Sequence, residues 1–164
     1  MSQNPYASPA TLAVADAKAA AVDPALWNPG AAARWSLIFT PTFGAILHAK
    51  NWAALGEMEK ARGQRIWAIA NLVYVLVVIA GSAMLPDSKG LDAIVRFSGL
   101  GILLAWYFTG GKVQVAYVKE HFGDNYPRRG WGAPLLIAVA CFAALVGVMI
   151  AVLVAIYMVT GKLD

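Results

Sequence analysis

Few side chains in this sequence could carry chemistry, and the two histidines come first among them. His48 and His121 each lie near one end of a hydrophobic segment, so a haem held between two imidazoles is conceivable. His121, however, has Glu120 and Asp124 as neighbours, which is typical of a polar surface loop. The single cysteine, Cys141, cannot form an intramolecular disulfide. The sequence therefore predicts no cofactor and no metal site.

Motifs typical of enzymes and of nucleic-acid-binding proteins are also missing from the sequence. The stretch Gly110-Gly111-Lys112 lacks the rest of a phosphate-binding loop. No nucleophile elbow and no zinc-protease motif occurs. The basic run from Tyr126 to Arg129 adjoins a hydrophobic segment, which favours contact with anionic lipid headgroups over nucleic acid. We predict a protein that is not an enzyme and does not bind nucleic acid.

The elements that would have to position any site are membrane helices. Of the 164 residues, 60% are hydrophobic and 13% are charged, and the mean hydropathy is +0.62. Soluble domains carry about 25% charged residues. This composition excludes a disordered regulator, a disulfide scaffold and an ordinary soluble enzyme.

Charge-free runs predict three transmembrane helices. About 20 apolar residues in a helix cross a bilayer, and a charge at its centre costs several kcal/mol. The runs Ile66–Pro86 and Gly130–Gly161 are each long enough. The run Phe97–Gly111 has only fifteen residues, but apolar residues on both sides extend the predicted span to Ile94–Val115. The charges at its ends would then reach towards the headgroups.

A fourth hydrophobic segment, Trp35–Ala49, is also fifteen residues long and contains Pro41 and Gly44 at its middle. Proline removes a backbone donor and breaks or kinks a helix. We predict an all-α polytopic membrane helix bundle with three full transmembrane helices plus this proline-broken segment. The segment is either re-entrant, which we favour, or a kinked fourth span. If it is re-entrant, three side chains should pack on the later spans: Phe39, Phe43 and Ile46.

The chain divides into a mobile or partly helical N-terminal tail, residues 1–33, and a single transmembrane helical domain, residues 34–164. Residues 1–20 lack the basic start and the apolar core of a signal peptide. Helix starts are predicted where a capping residue precedes proline, at Ser8-Pro9, Asp23-Pro24 and Asn28-Pro29.

Basic residues predict the orientation, because lysine and arginine collect in cytoplasmic loops. Residues 50–65 and 112–130 each contain four of them, so both loops should be cytoplasmic and the C-terminus periplasmic. A re-entrant first segment places ten of the 13 basic residues on the cytoplasmic side, and a spanning one places eight. The stronger asymmetry favours the re-entrant topology.

Small residues at every fourth position predict helix packing, because they let two backbones approach closely in lipid. One such ridge lies in the third predicted segment and another in the last; their members are Gly101, Ala105 and Thr109, and Ala143, Gly147, Ala151 and Ala155. They serve either internal packing or contact with the helix of a partner.

Asn71 is the polar side chain that lies deepest within a clearly predicted span, so it should face the bundle. There it would either form a hydrogen bond inside the protein or contact a substrate.

Two stretches resemble a pattern found in uncharacterised small inner-membrane proteins of proteobacteria. They are WSLIFTPTFGAILHAKNWAALG, from Trp35 to Gly56, and KVQVAYVKEHFGDNYPRRGW, from Lys112 to Trp131. Together they cover about a quarter of the chain. The resemblance implies a bacterial inner-membrane location and carries no activity.

Two functions have support in the sequence, and a third, a membrane enzyme that acts on lipid, has only the membrane location in its favour. The first is a non-enzymatic protein of the inner membrane that works through helix–helix contacts, either as an accessory or assembly subunit or as an immunity protein against a toxin. The second is a homo-oligomeric small-molecule transporter or channel, since discontinuous helices often line substrate sites. The absence of ionisable side chains at the centre of any predicted span argues against coupling to protons or ions. The expected partners are the lipid bilayer and another membrane protein, or a second copy of the chain.

Overall fold

The computed structural model describes residues 23–84 and 88–160, and every regular element in these ranges is a helix. The elements in chain order are α1 (Pro29–Phe39), α2 (Pro41–Ala54), α3 (Met58–Met84), α4 (Lys89–Trp106), a π-helical turn (Tyr107–Gly111), α5 (Lys112–Phe122) and α6 (Gly132–Thr160). The predicted all-α class is confirmed.

Three helices are long and apolar enough to cross a membrane. These stretches are Met58–Gly81 within α3, Lys89–Phe122 across α4, the π-helical turn and α5, and Gly132–Val152 within α6. Each contains or overlaps one of the three charge-free runs, so the three predicted spans are confirmed. Large apolar side chains along all three helices are exposed in the isolated chain, as a lipid-facing surface requires.

The folded region begins before residue 34, where the sequence placed the end of the tail. Leu26 is fully buried. Its N–H donates to the Pro127 carbonyl, and its carbonyl accepts from the Arg129 N–H, both at 2.9 Å. Residues 26–33 therefore belong to the helical domain, because this backbone pairing ties them to the segment that follows α5.

α1 begins at one of the predicted cap-plus-proline sites. Asn28 Oδ1 accepts from the Ala31 N–H at 3.0 Å, and Pro29 takes the first helical position. No helix begins at Asp23-Pro24, so that prediction is wrong. The predicted start at Ser8-Pro9 lies outside the described residues.

Thr40 separates α1 from α2 and reverses the chain. Its φ of 82° lies in the left-handed region that β-branched residues avoid. Pro41 then starts α2 at a position where the missing N–H costs no hydrogen bond. The helices run antiparallel, because Pro29 at the start of α1 meets His48 in the second half of α2. Both ends of the segment therefore lie together, so the segment is a helical hairpin rather than one kinked helix.

Some residues of the hairpin have roles that differ from the predicted ones. Gly44 lies inside α2, so the break comes from Thr40-Pro41 alone. Ile46 is 43% exposed and does not pack on the later spans. Phe43 packs on the hairpin's own buried cluster, which consists of Trp27, Ala32 and Leu47. Phe39 is half-buried beside the Phe43 ring. The predicted packing is wrong for Ile46, because the face of α2 with Ala45 turns towards the spans, and it stays a prediction for Phe39 and Phe43.

The hairpin, α3 and the α4–α5 helix form the packed body of the protein. α2 lies along α3, and the π-helical turn and α5 also contact the hairpin. Farther from the hairpin, Tyr74 of α3 bridges to α4 through its hydroxyl, which lies 2.8 Å from Ser98 Oγ. α6 makes no extensive contact with any other described element.

Candidate functional site

A polar core lies where the hairpin meets α3 and α5; its members are His48, Asn51, Gln64 and Gln114. All four side chains are nearly or fully buried. Asn51 joins the chain before α1 to α2: its Oδ1 accepts from the Trp27 N–H at 3.0 Å, and its Nδ2 donates to the Trp27 carbonyl at 2.7 Å. Gln114 adds α5 to this network, because its Oε1 accepts from Asn51 at 3.3 Å and its Nε2 donates to the His48 carbonyl at 2.9 Å.

His48 is the titratable member of the polar core. Its Nε2 lies 3.1 Å from the Pro29 carbonyl, which can only accept, so Nε2 carries the proton. Burial in the hairpin, outside the three spanning helices, lowers the pKa of His48 from 6.5 to about 4, although the bond to Pro29 opposes the shift. The imidazole is therefore neutral at pH 7. Its Nδ1 is the one buried side-chain polar atom among the described residues that has no partner.

Gln64 holds α3 against the π-helical turn. Its Oε1 accepts from the Trp106 Nε1–H at 2.9 Å. A Cβ on Gly110 would collide with the Gln64 side-chain nitrogen. The glycine is therefore required for close approach, since only a bare Cα leaves room for the amide.

Gly44 makes a second close approach in the same region. A Cβ at this position would collide with Ser36 Oγ of α1 and with the Trp106 ring. The His48 and Trp106 rings are also in edge-to-face contact, with centroids 5.4 Å apart. Gly44 thus allows the two helices of the hairpin and the end of α4 to meet.

The polar core positions helices, and the described residues show no reactive arrangement there. The amides of Asn51 and Gln114 bond to each other and to backbone groups, and the Gln64 oxygen accepts from the Trp106 ring. No group of three or more metal-ligating side chains occurs in the described parts of the chain. Sequence reasoning considered His48 only as a haem ligand and missed Asn51, Gln64 and Gln114. A polar residue next to the hydrophobic segments is the one signal that could have indicated Asn51 and Gln64, since both flank charge-free runs.

Asn71 is 2% exposed, so it faces the protein. Its Nδ2 donates to the Trp67 carbonyl one turn earlier in the same helix, at 2.8 Å. The hydrogen bond is local and joins no two helices.

The small-residue ridges lie outside the packed body. Gly101 and Ala105 of α4 and Thr109 of the π-helical turn are exposed, and the Thr109 hydroxyl donates to the Ala105 carbonyl at 2.7 Å. The second ridge is equally exposed on α6; its members are Ala143, Gly147, Ala151 and Ala155. Neither ridge serves packing between the described helices of this chain.

The remaining candidates lie in ordinary surroundings. His121 is exposed and stacks on Tyr117, whereas His48 is buried against Trp106, so the two imidazoles have different neighbours. Gly110 and Gly111 are helical, and Lys112 extends over the Phe108 ring rather than closing a phosphate loop.

The two stretches that carry the resemblance lie side by side in the structure. Trp52 of the first contacts Tyr117 of the second with ring centroids 5.0 Å apart, and Asn51 bonds to Gln114. They form one unit, although more than 50 residues separate them in the chain. Comparison with protein-family models, with curated proteins and with solved structures finds no match for this chain.

Proposed function

We propose that this protein is a non-enzymatic accessory protein of the bacterial inner membrane that packs α6 against a helix of another membrane protein. The exposure of α6 carries the proposal. Those of its side chains that the structure describes lie open to the surroundings, apart from a few half-buried ones, and every residue of its small-residue ridge is exposed. In lipid, small residues favour association because they let backbones approach closely. An assembly factor, a subunit of a complex or a toxin-immunity protein would all use such a face.

The proposal includes an orientation. Residues 50–65 and 112–130 lie at the same end of the body, as the contacts of Lys60 with the Trp52 and Tyr117 rings illustrate. We place this end in the cytoplasm and the C-terminus in the periplasm, because both loops are rich in lysine and arginine.

Cysteine labelling tests the orientation. In a Cys141→Ser background, single cysteines at positions 60, 89 and 128 are treated with an impermeant thiol reagent after the outer membrane is permeabilised. Only position 89 should react. Labelling at position 60 or 128 in intact cells would contradict the orientation.

Copurification in a mild detergent tests the proposed contact. The wild-type chain should leave the membrane with a stoichiometric partner, and Gly147→Leu or Ala151→Leu should release that partner, since bulk is added where backbones meet. Met149→Leu is the matched control, because at about 100° per residue it lies nearly opposite Gly147 and Ala151. A chain that purifies alone, or equal behaviour of the three variants, would contradict the proposal.

A homo-oligomeric transporter or channel is the second candidate, and the hairpin at Thr40-Pro41 favours it because discontinuous helices often line substrate sites. The hydrogen bonds within the polar core argue against it, since they leave the amides occupied. The same copurification separates the candidates: a symmetric assembly of this chain alone supports the transporter.

A further inference from the structure

One face of α2 forms the floor of an open groove on the surface of the protein. The groove has a volume of about 420 Å³, within the range of roughly 300–1,000 Å³ typical of small-molecule sites. Its apolar floor includes Ile46, Ala49 and Ala53, which recur at helical spacing on one face of α2. Three cations complete its lining: Lys50 of α2, Arg65 of α3 and Arg129 from the segment that precedes α6.

These three cations come from three separate hydrophobic segments. Lys50 directly follows the charge-free run Trp35–Ala49, and Arg65 directly precedes the run Ile66–Pro86. Arg129 likewise precedes the run that begins at Gly130. Each therefore lies where its segment would leave the hydrocarbon and enter the headgroup region. The fold brings these three charges together in the groove.

No acidic side chain balances these charges in the described structure. The lining contains neither aspartate nor glutamate. The ion pairs of the described residues, Lys60 with Glu57 and Arg128 with Asp124, involve other cations. The groove thus carries three positive charges beside an apolar floor.

Trp27 holds two of the cations in place before any ligand binds. The Arg129 guanidinium lies 4.6 Å from the Trp27 ring centroid, and Lys50 Nζ lies 5.7 Å from it. Arg129 Nε also donates to the Ala25 carbonyl at 2.9 Å. Its two terminal nitrogens have no hydrogen-bond partner among the described residues, so they can bind the oxygens of a phosphate with little loss of side-chain entropy.

We propose that this groove binds an anionic glycerophospholipid, with the headgroup phosphate among Lys50, Arg65 and Arg129 and an acyl chain along Ile46, Ala49 and Ala53. Charge complementarity selects an anion, because a zwitterionic headgroup would add a cation to three others. The apolar floor selects a lipid over a free phosphate, because the latter gains nothing from it. The site does not depend on the proposed partner of α6.

Lipid retention tests the site. The full-length protein is incorporated into nanodiscs that contain phosphatidylglycerol and phosphatidylcholine in equal amounts. It is then extracted, and the lipids that stay bound to it are identified by native mass spectrometry. The wild type should retain phosphatidylglycerol in preference to phosphatidylcholine. Each of Lys50→Gln, Arg65→Gln and Arg129→Gln should lower that preference by about fivefold, because each removes one cation beside the bound phosphate.

Matched controls distinguish specific binding in the groove from a general effect of surface charge. Arg128→Gln removes the neighbouring arginine, which is paired with Asp124, and Lys119→Gln removes an exposed lysine elsewhere. Both should leave the preference unchanged. Equal losses in Arg128→Gln and Arg129→Gln would overturn the proposal, as would equal retention of both lipids by the wild type.

Two further measurements on the wild type avoid any effect of substitution on folding. Added phosphatidylglycerol should raise the thermal unfolding midpoint in detergent, and added phosphatidylcholine should not, because only a bound ligand stabilises the folded state. Inorganic phosphate at the same concentration should not displace the lipid. Displacement by phosphate, or equal stabilisation by both lipids, would contradict the lipid site.

Discussion

The packed body of the protein and its last helix, α6, differ in the contacts that hold them in place. In the body, buried amides and missing Cβ atoms determine how the hairpin, α3 and α5 meet. α6 has neither feature in its described part, and its contacts with the other described helices are few. The body specifies its own structure through partners distant in the chain. Under the proposed function α6 gains its main contacts from a helix of another protein, so substitutions in the two regions should have different consequences.

The largest expected effect is the loss of Asn51. Asn51→Leu leaves the buried N–H and carbonyl of Trp27 without their side-chain partner, at a cost of about 1–3 kcal/mol for each orphaned group. The thermal unfolding midpoint in detergent should fall accordingly. Asn71→Leu is the matched control, since it loses only a bond to its own helix and should cost less than about 1 kcal/mol. Equal losses would show that the polar core does not determine the packing.

The next largest loss of stability should come from a substitution at Gly44. In Gly44→Ala the new Cβ meets Ser36 and Trp106, and overpacking of this kind costs about 1–3 kcal/mol. Gly63→Ala is the control, because no described atom lies within 4 Å of a Cβ there and alanine is the better helix former. The first variant should unfold at a lower temperature than the wild type and the second at the same or a higher one. A stable Gly44→Ala variant would contradict the close approach.

Acid should lower the stability of the packed body, because the buried His48 imidazole must then take up a proton. The pKa of His48 is about 4 in the folded protein, below the ordinary value of 6.5 that applies to the unfolded chain, so the unfolded chain binds more protons between these values. The stability due to the neutral imidazole is complete above pH 6.5 and is lost as the pH falls towards 4. Unfolding midpoints measured across this window should fall more steeply for the wild type than for His48→Phe. His121→Gln, which changes an exposed histidine, should follow the wild type.

The smallest effect should be a gain at Thr40. A β-branched residue at a φ of 82° is strained, and glycine adopts this conformation freely. Thr40→Gly should therefore raise the stability by about 1 kcal/mol. Thr40→Val keeps the branched Cβ and should give no gain. An unfolding midpoint that drops in Thr40→Gly would mean that the hairpin turn is not strained.

The sequence predicted the elements that local rules determine. Charge-free runs located the three spans, and Asn28-Pro29 located the start of α1 because a cap and a proline act within one helical turn. The place of the break followed from Pro41. Each of these features depends on neighbours in the chain.

The parts that sequence reasoning missed depend on residues far apart in the chain. Gln114 is buried because His48 and Asn51 lie opposite it, and Gly44 is required because Ser36 and Trp106 approach it. A glycine in a hydrophobic segment equally fits a helix break and a close contact, so the pattern alone could not separate them. The groove cations indicate only topology when taken from the sequence, because nothing in it shows that they meet.

The central claim is that the small-residue ridge of α6 contacts another protein. Val148, Met149 and Ile150 are all exposed large side chains on α6, and at about 100° per residue the first and third flank the ridge while Met149 lies opposite. A photo-crosslinking amino acid is placed at each position in turn and activated in native membranes. We expect a discrete crosslinked product from positions 148 and 150 and none from 149. No product at any position, or equal products from all three, would contradict the claim.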